Sequence, residues 1–214
     1  MENSFIQFSL VILFLPLFAF LIQIFFGKRL PRGGDWVSIS AIAITLLLAL
    51  SMFISMLSEY NPELRYESSF TWIDMGEFKI KLGFLIDNLT IIMLLVVALI
   101  STCTHVFSTQ YLKGDVRYSR YFGYLGLFTF SMNGIVLANN LISMYMFWEL
   151  VGVSSYLLIG HWFEKESAAN ASKKAFLTNR VGDIGFFIGI MLIYNAIGSF
   201  AFLDIFEGVA NGLI

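Results

Sequence analysis

The sequence predicts an all-α polytopic membrane protein with six transmembrane helices and a short extramembrane hairpin between helices 2 and 3. Of its 214 residues, 58% are hydrophobic and 13% are charged, about half the charged fraction of a soluble domain. Its repeated apolar runs of about 20 residues are long enough to cross a bilayer at 1.5 Å of rise per residue. We therefore expect a single membrane domain over residues 1–214, surrounded by lipid.

The six spans follow from apolar runs that are separated by polar links. The first run, Phe5–Phe26, lacks a basic start and a small-residue cleavage site, so it predicts a retained helix and not a signal peptide. The fourth and fifth runs are separated only by the tight turn Asn139-Asn140. The predicted helices cover residues 5–26, 37–57, 84–107, 121–138, 141–162 and 175–197.

Residues 59–82 form the longest polar segment of the chain, and we expect them to face the outside. Alternating polar and apolar residues in 65–73 and 77–82, on either side of Asp74-Met-Gly, are typical of a β-hairpin. The sequence therefore predicts a hairpin that lies on the membrane surface. A mixed tail follows the last helix and ends at Ile214.

The basic residues predict the orientation of the helices. With the N-terminus outside, nine of the 13 Lys and Arg residues fall in inside links, three fall in the outside segment, and Arg180 lies within a helix. Lys and Arg accumulate on the cytoplasmic side of membrane proteins. The pattern predicts an outside N-terminus, with residues 28–35, 113–120 and 164–174 facing the cytoplasm or the mitochondrial matrix.

The sequence offers few residues for cofactor chemistry. Cys103 is the only cysteine and lies inside an apolar run, so neither an intrachain disulfide nor a thiolate metal site can be built. There are two histidines, no CxxC pair, no Gly-rich phosphate loop and no basic stripe for nucleic acid. We expect no metal site, no cofactor site, no nucleic-acid partner and no electron carrier on this chain.

Two neighbouring predicted helices carry three charged residues between them. Glu149 stands eight residues into the fifth apolar run, and Arg180 and Asp183 stand near the start of the sixth. Insertion of a charged side chain into the middle of a bilayer costs about 2.5–3.5 kcal/mol of free energy, whereas insertion of a leucine is favourable by only about 0.3–0.6 kcal/mol. Intramembrane charges of this cost are typical of pathways for ions or protons, and Glu149 is the first candidate for a proton relay.

Two interpretations stay open for Arg180, Asp183 and His105, whereas one is favoured for Asp87. Arg180 and Asp183 share one helix face, and they either neutralise each other or act as partners for Glu149 or a neighbouring subunit. His105 lies near the inner end of its helix, where it is either hydrated or suited to proton transfer. Asp87 lies in the first turn of its helix, where a carboxylate complements the helix dipole.

Long motifs in these helices resemble a known family. The segments DNLTIIMLLVV, THVFSTQYL and LANNLISMYMFWELVGVSSYLLIGHWFEKESAANASKKAFLTNRVGD resemble the antiporter-like subunit L of respiratory complex I, the NADH:quinone oxidoreductase, which is subunit 5 in mitochondrial naming. The large subunit of multisubunit sodium/proton antiporters shares FWEL and SSYLLIG. The continuation SAANASKKAF and NRVGD, together with His105 in THVFS, favours complex I.

The resemblance implies roles for four residues. Glu149 matches a glutamate on the fifth helix that pairs with a lysine in a later, broken helix, and Arg180 and Asp183 match a charged pair implicated in coupling. His105 matches a family histidine on the third helix. The resemblance also implies that NADH, FMN, iron–sulfur clusters and quinone bind to partner subunits. The expected partners are other membrane-arm subunits, especially the neighbouring antiporter-like subunit.

The sequence departs from the family pattern in its length, because family members continue far beyond six helices. The broken helix with its lysine, the second inverted repeat and the long lateral helix are not in this sequence, and only three helices of the half-channel are expected. The expected function is proton translocation by complex I in a bacterial plasma membrane or mitochondrial inner membrane. The alternatives are a subunit of a sodium/proton antiporter and a purely structural membrane subunit.

Overall fold

A computed structural model describes residues 2–76 and 78–212, so Glu77 of the predicted hairpin and the last two residues of the predicted tail lie outside the described residues. The chain folds into a bundle of helices with one two-stranded sheet and a short final helix. In chain order the elements are α1 (Glu2–Phe26), α2 (Asp35–Ser58), β1 (Arg65–Met75), β2 (Phe78–Asp87), α3 (Asn88–Tyr111), α4 (Tyr118–Leu137), α5 (Leu141–Ile159), α6 (Glu166–Ile197) and α7 (Phe202–Ala210).

Three links meet at one end of the bundle, which we call the three-link end. Ser119 donates a hydrogen bond of 2.8 Å to the Gly33 carbonyl and so joins the first link to the start of α4. The Trp162 indole donates a hydrogen bond of 2.8 Å to the Asp115 carboxylate and so joins the other two links. The links that define this end are residues 27–34, 112–117 and 160–165.

The opposite end, which we call the hairpin end, holds β1, β2, the turn between α4 and α5, and α7. The two strands are antiparallel, and their register shifts between Thr71 and Ile73. Asn139 donates a hydrogen bond of 2.8 Å to the Glu67 carboxylate, and Asn140 donates one of 2.7 Å to the Lys81 carbonyl. These two asparagines therefore fasten the strand pair onto the turn.

Helix α4 lies in the middle of the bundle and packs against α1, α3 and α5, with further contacts to α2. Small residues permit this close approach. A Cβ atom on Gly134 would lie only 2.2 Å from the Phe147 ring of α5, and one on Gly126 would lie 3.0 Å from the Pro16 carbonyl of α1. The buried Asn133 donates a hydrogen bond of 3.0 Å to the Ile12 carbonyl of α1.

Five helices in the described part of the chain are long and apolar enough to cross a membrane, and they correspond to α1, α2, α3, α5 and α6. Helix α4 matches the predicted fourth span in position but is not among these five, because its sequence is more polar. Neighbouring helices cover much of its surface, so many of its side chains contact protein and not lipid. The polar residues that it buries are Thr129, Ser131 and Asn133.

Two helix boundaries differ substantially from the predicted ones. Helix α6 begins at Glu166 and not near residue 175, because six of the nine residues in the polar stretch 166–174 are the good helix formers Ala, Glu and Lys. Helix α3 begins at Asn88 and not at 84, because β2 continues to Asp87. The Asp87 carboxylate caps α3 by accepting a hydrogen bond of 2.7 Å from the Thr90 backbone, which confirms its predicted structural role.

We predict that Gly134→Ala destabilises the protein and that Gly152→Ala does not. The added methyl group at position 134 would overlap the Phe147 ring and force α4 and α5 apart, at a cost of about 1–3 kcal/mol. A Cβ atom on Gly152 of α5 meets nothing within 4 Å. Thermal unfolding in detergent measures the difference, and equal melting temperatures for the two variants would contradict the packing described here.

Candidate functional site

Arg180 of α6 lies between two carboxylates. Its guanidinium forms an ion pair with Glu149 of α5, and its Nη1 lies 3.7 Å from a carboxylate oxygen of Asp183. The structure therefore brings together three of the four residues predicted from the sequence. The formal charge of this group of three is −1, because one cation faces two carboxylates.

The group of three lies near the middle of both helices. Glu149 is about 12 Å from the first residue of α5 and about 15 Å from the last, at 1.5 Å per residue. Arg180 is about 21 Å from the first residue of α6 and about 26 Å from the last. The sequence predicted a sixth helix from about residue 175, with Arg180 and Asp183 near its start. Because α6 begins at Glu166, both residues lie further along the helix than predicted.

Aromatic side chains hold α5 and α6 together around these charges. Tyr145 packs against Phe186 and Phe187, with ring centroids 5.7 and 5.8 Å apart. Closer to the three-link end, Tyr156 packs against Phe176 at 5.5 Å. These contacts lie on both sides of Glu149 along α5, so they fix the separation of the two helices at the depth of the ion pair.

Two further contacts orient the charged groups. The Trp148 indole donates a hydrogen bond of 3.0 Å to the Asp183 carboxylate. The Arg180 guanidinium carbon lies 4.6 Å from the centre of the Phe176 ring, within the range of cation–π attraction. Asp183 is the most enclosed of the three, since its side chain is 8% exposed against 36% for Arg180. Arg180 therefore lies at the more open side of the group.

His105 lies away from these charges, fully buried between α3 and α4. Its Nδ1 donates a hydrogen bond of 2.8 Å to the Ser101 carbonyl, and its ring packs 6.0 Å from that of Phe122. The Ser101 hydroxyl in turn lies 2.7 Å from the Thr129 hydroxyl. In the described part of the chain no hydrogen bond or ion pair joins His105 to Glu149, and its buried Nε2 has no hydrogen-bond partner.

The three-link end contains a polar cluster that the sequence analysis missed. Asp115 accepts hydrogen bonds from the Arg117 backbone at 2.7 Å and from Trp162, and His161 Nε2 lies 3.4 Å from its carboxylate. Arg117 also donates a hydrogen bond of 2.9 Å to Glu164. The cluster joins the link before α4 to the link after α5 and so fixes the ends of both helices.

The ionisable groups of this cluster have shifted pKa values. Burial alone would raise the pKa of Asp115, but the hydrogen bonds from Arg117 and Trp162 and the nearby His161 lower it below its usual value. Burial lowers the pKa of His161; the Asp115 carboxylate opposes this shift, and Arg117 and Arg120 add to it. The only signal in the sequence was that Asp115 and Glu164 fall in links predicted to lie on the same side of the membrane.

No three side chains of His, Cys, Asp or Glu come together to hold a metal ion within residues 2–76 and 78–212. Cys103 is exposed on α3. The expectation that this chain binds no cofactor stays a prediction.

Two family models match separate parts of the chain. Residues 72–122 match the N-terminus of chain 5 of NADH-ubiquinone oxidoreductase (complex I). Residues 138–213 match the transmembrane family of NADH:quinone oxidoreductase and the Mrp antiporter. The second match includes all three residues of the charged group.

Curated relatives match most of the chain. The chloroplastic NAD(P)H-quinone oxidoreductase subunit 5 of Physcomitrium patens is 43% identical over 199 residues, which are 90% of this chain and 28% of the relative. The protein of the same name from Acorus calamus var. americanus is 39% identical over 219 residues, or 99% of this chain and 29% of the relative. The chain thus spans little more than a quarter of the length of these relatives.

A solved structure has the same fold. It is the membrane-bound sulfane sulfur reductase (MBS), an archaeal respiratory membrane complex, and one of its chains superimposes with a TM-score of 0.80 at 19% identity. The superposition covers 97% of this chain and 41% of the other. At this level of identity the comparison shows the fold alone.

The helical bundle, its intramembrane charges and the two family matches define an antiporter-like membrane subunit. Within that class the chain belongs to the family of complex I subunit 5, also called subunit L, and corresponds to its N-terminal portion.

We predict that Arg180→Gln destabilises the protein more than neutralising all three charged residues together. The single change leaves Glu149 and Asp183 without their cation, and breaking a buried pair by removing one partner costs about 3–5 kcal/mol. The partial exposure of Arg180 places the expected cost at or below the lower end of that range. The triple variant Glu149→Gln, Arg180→Gln, Asp183→Asn leaves no stranded charge.

Thermal unfolding of the purified protein in detergent, together with the yield of folded protein, compares the two variants. Equal stability would mean that the carboxylates do not depend on Arg180. Lys174→Gln is the matched control, because it removes an exposed cation from the same helix.

Proposed function

We propose that the chain forms the N-terminal part of a proton-translocating membrane-arm subunit of NADH:quinone oxidoreductase, in which it couples quinone reduction to proton movement. The observation that carries this proposal is the ion pair between Glu149 and Arg180 near the middle of α5 and α6, with Asp183 beside it. The names of the curated relatives support the assignment to such a complex.

The geometry suggests how a proton and the guanidinium would be linked. With Glu149 ionised, its attraction holds Arg180 against α5, while Asp183 lies one helix turn away on the side of the Trp148 indole. Protonation of Glu149 removes this attraction and leaves Asp183 as the nearest carboxylate to Arg180. A small movement of Arg180 is therefore coupled to the arrival or departure of one proton at Glu149.

We assign His105 a separate position in the same pathway. Its Nε2 is a buried acceptor without a partner, and its neighbour Ser101 continues through a hydroxyl contact to Thr129. A chain of hydroxyl and imidazole groups can pass protons between α3 and α4. We propose that His105 serves such a branch and that it exchanges protons with Glu149 only through intervening water or further residues.

The proposal includes six spans with an outside N-terminus. On this arrangement α4 is the fourth span, the three-link end faces the cytoplasm or matrix, and the hairpin end faces the outside. The concentration of basic residues in the three links supports this orientation. The membrane is a bacterial plasma membrane or a mitochondrial inner membrane, and the chloroplastic relatives add a plastid membrane as a third candidate.

We propose further that this chain carries no electron-transfer site. NADH, FMN, the iron–sulfur clusters and quinone would then bind to partner subunits, and the direct neighbours of this chain would be other membrane-arm subunits. A second candidate function is cation/proton exchange without a redox partner. It is favoured by the description of the matching transmembrane family, which includes the Mrp antiporter.

We predict that Glu149→Gln in the full-length subunit of an assembled complex lowers the number of protons moved for each NADH oxidised. The amide keeps the shape of the side chain but cannot ionise, so the link between its proton and Arg180 is lost. Reconstituted liposomes with a pH-sensitive dye measure proton uptake, while NADH absorbance measures electron transfer in the same sample.

Glu63→Gln is the control for this experiment, because Glu63 is an exposed carboxylate at the hairpin end. An unchanged proton-to-electron ratio in assembled Glu149→Gln complex would refute the relay role. Sodium-driven proton exchange in the absence of NADH, lost in Glu149→Gln but not in Glu63→Gln, would support the antiporter alternative.

We predict that a membrane-impermeant thiol reagent added from the outside labels the hairpin end and not the three-link end. Single cysteines are placed at exposed positions in a Cys103→Ser background, namely Lys28→Cys, Val116→Cys and Glu166→Cys against Ser69→Cys. Only Ser69→Cys should react in intact cells or right-side-out vesicles, and all four should react after permeabilisation. Outside labelling at position 28, 116 or 166 would contradict the orientation.

A further inference from the structure

A cavity of about 440 Å³ lies at the three-link end, between the start of α4, the end of α5 and the second turn of α6. We call it the basic pocket, because three cationic side chains line it and no carboxylate does. Its lining includes Arg117, Arg120 and Lys173, together with the rings of Tyr124, Tyr156 and His161. The cavity is separate from the Glu149–Arg180–Asp183 group, none of whose members lines it.

Most of the positive charge in the basic pocket is unpaired. Arg117 forms an ion pair with Glu164, which lies outside the lining. Arg120 and Lys173 are exposed, and neither forms an ion pair or hydrogen bond with any residue that the structure describes. The two unpaired cations, with Arg117 beside them, leave the cavity with excess positive charge, so it favours an anion that can face these side chains.

The pocket also offers neutral hydrogen-bond donors. The hydroxyl groups of Tyr124 and Tyr156 form no hydrogen bond with a described residue, although the Tyr156 ring packs on Phe176. A phosphate group has several acceptor oxygens, and charged guanidinium groups together with hydroxyl groups satisfy them well. The donors of the pocket therefore match a phosphate better than a carboxylate, which has only two oxygens.

The position of the pocket favours a lipid over a soluble anion. Helix α5 ends at Ile159 and α4 starts at Tyr118, so the cavity lies where the apolar helices give way to the links. Tyrosine and tryptophan side chains at this level are typical of the headgroup region of a membrane. A cavity of about 440 Å³ is within the usual size range for an organic ligand, and inorganic phosphate alone would fill little of it.

We propose that the basic pocket binds the phosphate headgroup of an anionic phospholipid, held by Arg117, Arg120 and Lys173 at the junction of α4, α5 and α6. Basic pockets between membrane helices on the cytoplasmic side are suited to such headgroups. The bound lipid neutralises the unpaired positive charge of Arg120 and Lys173 and joins α6 to the start of α4.

The test uses the full-length subunit in its assembled complex, delipidated in mild detergent. The complex is titrated with phosphatidylglycerol, with phosphatidylcholine or with inorganic phosphate, and lipid binding and melting temperature are measured. We expect phosphatidylglycerol to bind and to raise the melting temperature, and the other two to do neither. In Arg120→Gln, Lys173→Gln the binding should be about 30-fold weaker, corresponding to about 1 kcal/mol for each cation.

The matched control is Lys113→Gln, Lys174→Gln, which removes two exposed cations of the same end that do not line the pocket. The control should bind phosphatidylglycerol as the unchanged complex does. Equal weakening in both double variants would mean that the lipid responds only to general surface charge, and an unchanged affinity in Arg120→Gln, Lys173→Gln would place the lipid elsewhere. Either result overturns the proposal. The proposal is also overturned if inorganic phosphate raises the melting temperature and displaces the bound phosphatidylglycerol.

A second measurement needs no substitution. A photoreactive phosphatidylglycerol with its reactive group near the phosphate is cross-linked to the unchanged complex and mapped by mass spectrometry. Cross-links within residues 117–124 and 156–173 are expected, and their absence despite cross-links elsewhere on the subunit would refute the site. The outcome does not depend on whether Glu149 carries protons.

Discussion

The structure depends on the close packing of α4 in the centre of the bundle. Three helices lie against it, and the approaches of α1 and α5 need glycines where side chains would otherwise collide, most clearly at Gly134 beside Phe147. The same enclosure allows α4 to carry Thr129, Ser131 and Asn133, which find partners within the protein. Helix α5 is positioned by this packing, and α6 is positioned by its contacts with α5, so the place of Glu149 and Arg180 within the bundle depends on α4.

Sequence reasoning located the apolar helices and the charged residues because both follow from the properties of lipid. An uncompensated charge in hydrocarbon is expensive, so Glu149, Arg180 and Asp183 stood out by their surroundings alone. The pairing of Arg180 with both carboxylates could not be derived, because it depends on the rotation of α5 against α6. The start of α6 was missed since polarity was taken to mean a link, whereas a polar helix can extend beyond the membrane.

The three-link end shows a different limit of sequence reasoning. Asp115 and His161 are 46 positions apart, and neither carries a local pattern that predicts the other. Their proximity results from two antiparallel helix pairs whose links happen to lie side by side. For His105 the sequence left two interpretations open, hydration near a helix end or a role in proton transfer. The structure shows a fully buried ring that packs against Phe122 of α4, and this burial could not be predicted from the position of His105 along its helix.

The turn between α4 and α5 has a consequence for how the protein enters the membrane. Helix α4 is too polar to count among the helices that are apolar enough to cross a membrane. Only three residues, 138–140, separate it from α5. Because the connection is so short, neither helix can move far across the membrane without the other. On the six-span arrangement, α4 and α5 therefore integrate together as a helical hairpin, in which the more apolar α5 compensates for the unfavourable transfer of α4. The translation machinery must then complete residues as far as Ile159 before α4 is committed to the bilayer.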